Sequence, residues 1–102
     1  MLQTTKDGSK TLVRITEDMV GSRIDDLRMQ LQEVVKAGGI EMVIDLEDVK
    51  IVDSLGMGLL VATHNSLKTK DGSLTLINVN PNIYNILTIM RLDKHFSIHK
   101  AV

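Results

Sequence analysis

The run Glu41-Met-Val-Ile-Asp-Leu46, Glu47-Asp-Val-Lys-Ile-Val52, Asp53-Ser-Leu-Gly-Met-Gly-Leu-Leu60 decides the fold. Its first part sets Met42, Val43, Ile44 and Leu46 in near succession around one interior charge, Asp45. A strand that is wet on one side alternates apolar and polar residues. A nearly continuous apolar run predicts a strand buried on both faces of a parallel sheet. The last part changes period. From Ser54 to about Lys70, residues Leu55, Leu59, Leu60, Ala62, Thr63, Ser66 and Leu67 recur at helical spacing, which predicts a helix with that wide face buried. Met57, Val61, His64, Asn65 and Lys68 fall on the opposite arc and are predicted to face solvent. Asp71-Gly72 ends the helix.

Working outward, Ser22 is placed to cap a helix carrying Ile24, Leu27, Leu31, Val34 and Val35, which Gly38-Gly39 stops. Upstream, Leu2 to Thr5 and Thr11 to Thr16 are β-prone stretches around Asp7-Gly8, a hairpin signal. Downstream, Leu74 to Val79 reads as a second buried strand. Pro81 opens a short helix through Ile83, Ile86, Leu87 and Met90, and Phe96 to Ile98 reads as an edge strand. The order β-β-α-β-α-β-α-β predicts an α/β fold, with a mixed, mostly parallel sheet and helices packed mainly on one face.

The 102 residues hold 12 Lys plus Arg, 13 Asp plus Glu, no cysteine, one Tyr and one Phe. That length suits one domain spanning 1–102, with no linker or repeat to divide it. A net charge of -1 offers no field for releasing counterions from nucleic acid, and Tyr84 with Phe96 makes no base-stacking platform. The first residues lack a basic segment leading into an apolar one. The longest apolar run, Leu55 to Ala62, is well short of the ~18 residues that cross a bilayer. The expectation is a soluble, cytoplasmic protein with no direct nucleic-acid contact and no membrane insertion.

Chemistry is sparse. Asp53 or Ser54 stands at the start of the long helix, where unpaired N-H groups and about half a positive charge make an added phosphate tolerable. Ser54 is therefore either a helix cap or a phosphate acceptor. Gly56 and Gly58 admit close approach of a backbone, either another molecule's or the sheet's own. Met57 and Val61 add an apolar surface near Ser54. No metal or cofactor is expected: in a strand His95 and His99 would lie about 13 Å apart, and Asp45, Asp48 and Asp53 come with no base or further ligand. Val52-Asp53-Ser54-Leu55-Gly56 lacks the first glycine of a nucleophile elbow, so no catalytic residue and no enzyme activity is expected.

The segment Asp53-Ser54-Leu55-Gly56-Met57-Gly58, after a buried strand and Glu47-Asp48, resembles the signature of STAS domains, the bacterial anti-sigma factor antagonists: Asp-Ser-Ser/Thr-Gly-hydrophobic-Gly at the start of the second helix. The resemblance extends over almost the whole chain and departs from the pattern at Leu55. It implies transcription regulation by partner switching. The unphosphorylated antagonist binds an anti-sigma factor that is also an ATP-dependent serine kinase, phosphorylation at Ser54 ends the complex, and a serine phosphatase restores it. The implied partner-binding residues are Asp53, Ser54, Gly56, Met57, Gly58 and Val61. The alternative keeps the fold as an accessory subunit or part of a membrane transporter, without serine phosphorylation.

Overall fold

The computed structural model describes residues 2–101. Strands β1 (Leu2–Asp7) and β2 (Lys10–Ile15) pair antiparallel, Asp7 against Lys10, around Gly8 at φ +64°. Then follow α1 (Arg23–Lys36), β3 (Glu41–Asp45), α2 (Ser54–Lys68), β4 (Ser73–Val79), α3 (Pro81–Ile89), a 3-10 turn (Leu92–Lys94) and β5 (Ser97–Lys100). The predicted order is the observed one, as is the mixed α/β class.

The sheet runs β1-β2-β3-β4-β5, the order of the chain itself, with β2 through β5 parallel. Each crossover moves the same way across the sheet, and right-handed crossovers then deposit all three helices on one face. Burial follows from this. Val13, Ile15, Met42, Ile44, Leu74 and Leu76 point under the helices and are buried. Leu12, Val43, Thr75 and Ile77 point the other way and are half-buried. The expectation that β3 is buried on both faces is corrected accordingly: no helix lies over its second side, and Val43 there keeps partial exposure.

Asp45 is the exception on that side, 7% exposed. A buried carboxylate needs partners. It accepts from the Glu47 N-H at 2.9 Å and from Asn78 Nδ2 at 3.0 Å, with Arg14 Nη1 at 3.9 Å. Asn78 reaches it from a left-handed backbone, φ +56°, within the register shift between Leu76 and Val79.

In α1, Ile24, Leu27, Leu31 and Val35 form the buried stripe at the predicted spacing. Ser22 does not cap it. Its backbone is already helical, φ -67° and ψ -13°, so the hydroxyl makes no cap hydrogen bond; the N-H groups of Arg23 and Ile24 donate to Val20 and Gly21 carbonyls instead. Gly38, φ +96°, turns the chain out of the helix as expected. At the other end the edge strand starts one residue later than predicted. Phe96, 6% exposed, is a plug of the core, and the strand is Ser97–Lys100.

Candidate functional site

The start of α2 is fixed by one carboxylate. Asp53 is the N-cap: its backbone is extended, φ -88° and ψ -174°, and Oδ1 accepts from the Gly56 N-H at 3.0 Å. Oδ2 accepts from the Gly21 N-H at 2.9 Å. One side chain thus ties the helix start to the loop that precedes α1. The same loop bridges back through its backbone, Met19 N-H to the Ile51 carbonyl at 3.0 Å and Asp53 N-H to the Met19 carbonyl at 3.2 Å. Asp18 Oδ1 accepts from the Lys50 and Ile51 N-H groups. The hydrogen bond from Gly56, then that from Gly21, holds the Asp53 carboxyl below the usual carboxylate range.

Gly56 sits inside this tie. A Cβ there would collide with the Met19 carbonyl oxygen and lie 2.7 Å from Val52 Cγ1. Its lack of a side chain serves the fold. Gly58 is different: it is exposed, and a Cβ there would meet nothing within 4 Å. Packing does not explain it, although a glycine in a helix interior costs about 1 kcal/mol relative to alanine.

Ser54 is the first residue of α2 and is exposed. The cap belongs to Asp53, so the alternative in which Ser54 is the capping residue falls. Among the described residues its hydroxyl takes part in no hydrogen bond. Leu55, predicted to be buried, is 54% exposed, and Ile51, three residues before Ser54 in the chain, is 58% exposed. Ser54 thus has an exposed large apolar residue after it and another shortly before it in sequence.

The helix is turned relative to the sequence prediction. Its buried residues are Gly56, Met57, Leu59, Leu60, Thr63, His64 and Leu67. Ala62 and Ser66, predicted inward, are exposed. Met57 and His64, predicted outward, are 3% and 7% exposed. The cause is the segment after α3, which wraps that flank: the His64 ring lies 5.3 Å from Phe96 and 6.1 Å from His95, centroid to centroid. Met57, two turns earlier on the same flank, is buried with it, so its expected place on a solvent-side surface is corrected. Val61 is half-buried at the edge of that flank. Burial first, then Lys68 and His95, lowers the His64 pKa.

The outward site is thus Ile51, Ser54, Leu55, Gly58 and Val61, with Asp53 and Gly56 beneath as its scaffold. Sequence reasoning missed Asp18, Met19, Gly21 and Ile51. The available signal was Met19-Val20, an apolar pair in an otherwise polar loop. Of the remaining sequence candidates, Asp45 and Asp48 share Arg14, at 3.9 and 3.1 Å, while Asp53 binds the Gly21 and Gly56 N-H groups instead. Among the described residues no group of three His, Cys, Asp or Glu could hold a metal ion. No described helix is long and apolar enough to cross a membrane.

A curated protein of Paenibacillus polymyxa, an anti-sigma F factor antagonist, is 26% identical over 89 residues, which are 86% of this chain and 76% of that protein. A crystal structure of a Thermotoga maritima protein superposes with a TM-score of 0.91 at 17% identity, over 99% of this chain and 87% of the other. The anti-sigma factor antagonist SpoIIAA in its unphosphorylated form gives 0.77 at 15% identity, over 100% and 90%. Its phosphorylated form, from Bacillus, gives 0.75 at 16%, over 96% and 90%. At these identities the structures establish a shared fold. The STAS domain family matches residues 1–102, and the chain belongs to that family.

Proposed function

We propose that this STAS domain is an anti-sigma factor antagonist, a non-enzymatic binding module that docks an anti-sigma factor through the outward face of the α2 start. The bound protein is also the ATP-dependent kinase. The Ser54 hydroxyl attacks the γ-phosphorus of ATP, the bond to the β-phosphate oxygen breaks, ADP leaves, and the hydroxyl proton passes to a base of the kinase. A separate serine phosphatase hydrolyses the ester and returns the binding form.

The observation that carries this reading is the division of labour between neighbours. Asp53 performs the capping and Ser54 is left exposed, in a stretch of chain that also exposes Ile51 and Leu55. A phosphate adds about -1.5 to -2 charge at pH 7. Asp53 stays ionised beside it, since its hydrogen bonds depress its pKa, and both charges would have to be desolvated in an apolar interface. The fold tolerates the modification at a helix N-terminus while the interface does not.

The test is incubation with the cognate anti-sigma kinase and ATP, followed by phosphopeptide mapping and titration calorimetry of Ser54→Ala and Ser54→Asp. Modification at Ser54, retained binding by Ser54→Ala and weakened binding by Ser54→Asp support the reading. Modification mainly at Ser66, Ser73 or Thr63, or full affinity in Ser54→Asp, refutes it.

A further inference from the structure

The residues that follow α3 lie along the flank of α2 and are held there by few side chains. Residues 92–101 bury Leu92 and Phe96 and half-bury Ile98. Their strand, β5, is short, stands at the edge of the sheet and pairs with β4 alone, through a register shift. The segment begins after Arg91, whose backbone is left-handed, φ +61°, a conformation disfavoured for a residue with a long side chain. Edges and chain ends built in this way occupy the low end of local stability.

Against this segment packs a histidine without a polar partner. His64 is 7% exposed, and its Nδ1 is the one buried side-chain nitrogen or oxygen among the described residues that has no hydrogen-bond partner. Buried polar atoms are ordinarily paired. The ring instead meets Phe96 and His95, tilted by 51° and 53°. A neutral ring serves there as a packing surface. An imidazolium would put a charge and a second N-H donor where no acceptor lies. The groups that act on the ring are Lys68, one turn along α2, and His95 from the segment, and neither is a carboxylate. Asp93, Lys94, His99 and Lys100 of the same segment are exposed and do not act on it; Lys100 sits over the Tyr84 ring of α3, 4.7 Å from its centroid.

We propose that His64 is an acid-operated clasp for residues 92–101: its protonation releases this segment, Phe96 and β5 together, while the sheet from β1 to β4 stays folded. A Phe ring attracts a cation, yet that gain is small beside the desolvation of a charge that has no hydrogen-bond partner. Opening uncovers the flank of α2 that carries Met57 and His64. The inference does not rest on the proposed function.

The sign follows from the closed form, in which burial first, then Lys68 and His95, holds the ring's pKa down. Released into water, the ring returns to its ordinary value of ~6.5. Below that value the open form binds more protons than the closed one. The clasp's contribution is therefore complete above ~6.5 and is lost as pH falls through the closed-form value. At pH 5.5 about ten open molecules in eleven carry the proton, so the open population grows by up to about tenfold over that at pH 7.5.

Amide hydrogen exchange of the whole chain, followed by NMR at about pH 7.5 and 5.5 and expressed as protection factors, tests it. Phe96 and Ala101 report on the segment, since their N-H groups donate to the Leu92 and Val79 carbonyls. Val13 on β2 and Ile44 on β3 report on the rest of the sheet. Protection at Phe96 and Ala101 should fall about five- to tenfold between the two pH values, and by more than at Val13 and Ile44. The imidazole signals of His64 should titrate below ~6.5. In His64→Leu the extra fall at Phe96 and Ala101 should vanish. His95→Gln changes an exposed position and keeps the test open should His64→Leu not fold: it should raise the His64 titration midpoint and shrink the fall. Equal loss at all four amides, a His64 ring that titrates at or above its ordinary value, or an unchanged fall in either folded variant would overturn the proposal.

Discussion

The two sides of the first turns of α2 are made from one six-residue motif and behave oppositely. On the inward side Asp53 and Gly56 are consumed by the fold: the carboxylate takes two N-H groups from separate segments, and the glycine accommodates the Met19 backbone. On the outward side the Ser54 hydroxyl makes no hydrogen bond among the described residues, and a Cβ at Gly58 would meet nothing within 4 Å. Motif membership alone does not tell which residues build the scaffold and which are displayed on it. Contact does.

The comparison can be broken most forcefully at Gly56. Gly56→Ala drives a methyl group into the Met19 carbonyl and the Val52 side chain, and overpacking of this kind costs about 2–3 kcal/mol. Thermal or urea melts should show it, and a neutral result would mean that the loop carrying Met19 yields easily.

Asp53→Asn comes next, a smaller loss than at Gly56. It also has a pH signature. The folded-state pKa of Asp53 is depressed, so the native state binds fewer protons than the unfolded chain between the two pKa values, and its contribution is fully present above the unfolded value near ~3.9. It disappears as pH falls through the folded value. Urea titrations should therefore show the stability gap between wild type and Asp53→Asn narrowing below about pH 4.

Gly58→Ala should have the opposite sign. With open space around the new methyl group, the helix gains about 0.5–1 kcal/mol, while affinity for the anti-sigma partner falls if a partner backbone uses the gap. A rise in melting temperature with unchanged affinity would restrict Gly58 to a neutral position. The smallest effect belongs to Ser54→Ala, expected to stay within about 0.5 kcal/mol of wild type, because Asp53 supplies the cap. A loss of 1 kcal/mol or more would mean that the hydroxyl does structural work after all.

Much of this was legible in the residues. The β3 run, the α1 stripe, the Gly38 stop and the Asp53-Ser54 helix start depend on local spacing, and the structure has them where spacing places them. The facing of α2 was not legible. Apolar and small residues surround that helix almost completely, so periodicity offers several possible buried faces, and the choice falls to whatever packs alongside. Here it is the segment carrying His95 and Phe96, distant in sequence, that draws Met57 and His64 inward and leaves Leu55 out. Asp53 as a tie to Gly21 was illegible for the same reason, since 32 positions separate the partners.

The coincidence of sheet order with chain order has a consequence for how the domain is made. Every strand from β2 onward pairs with one already synthesised, so nothing must be threaded between finished neighbours. Sheet growth can follow the ribosome, each crossover closing a loop of moderate length before the next begins. The vulnerable moment comes when α2 has emerged and β4 has not. The underside of that helix, with Leu60 and Leu67, then waits for the strand on which it rests, and a pause in synthesis at that moment would leave this apolar surface exposed to chaperones or to other nascent chains.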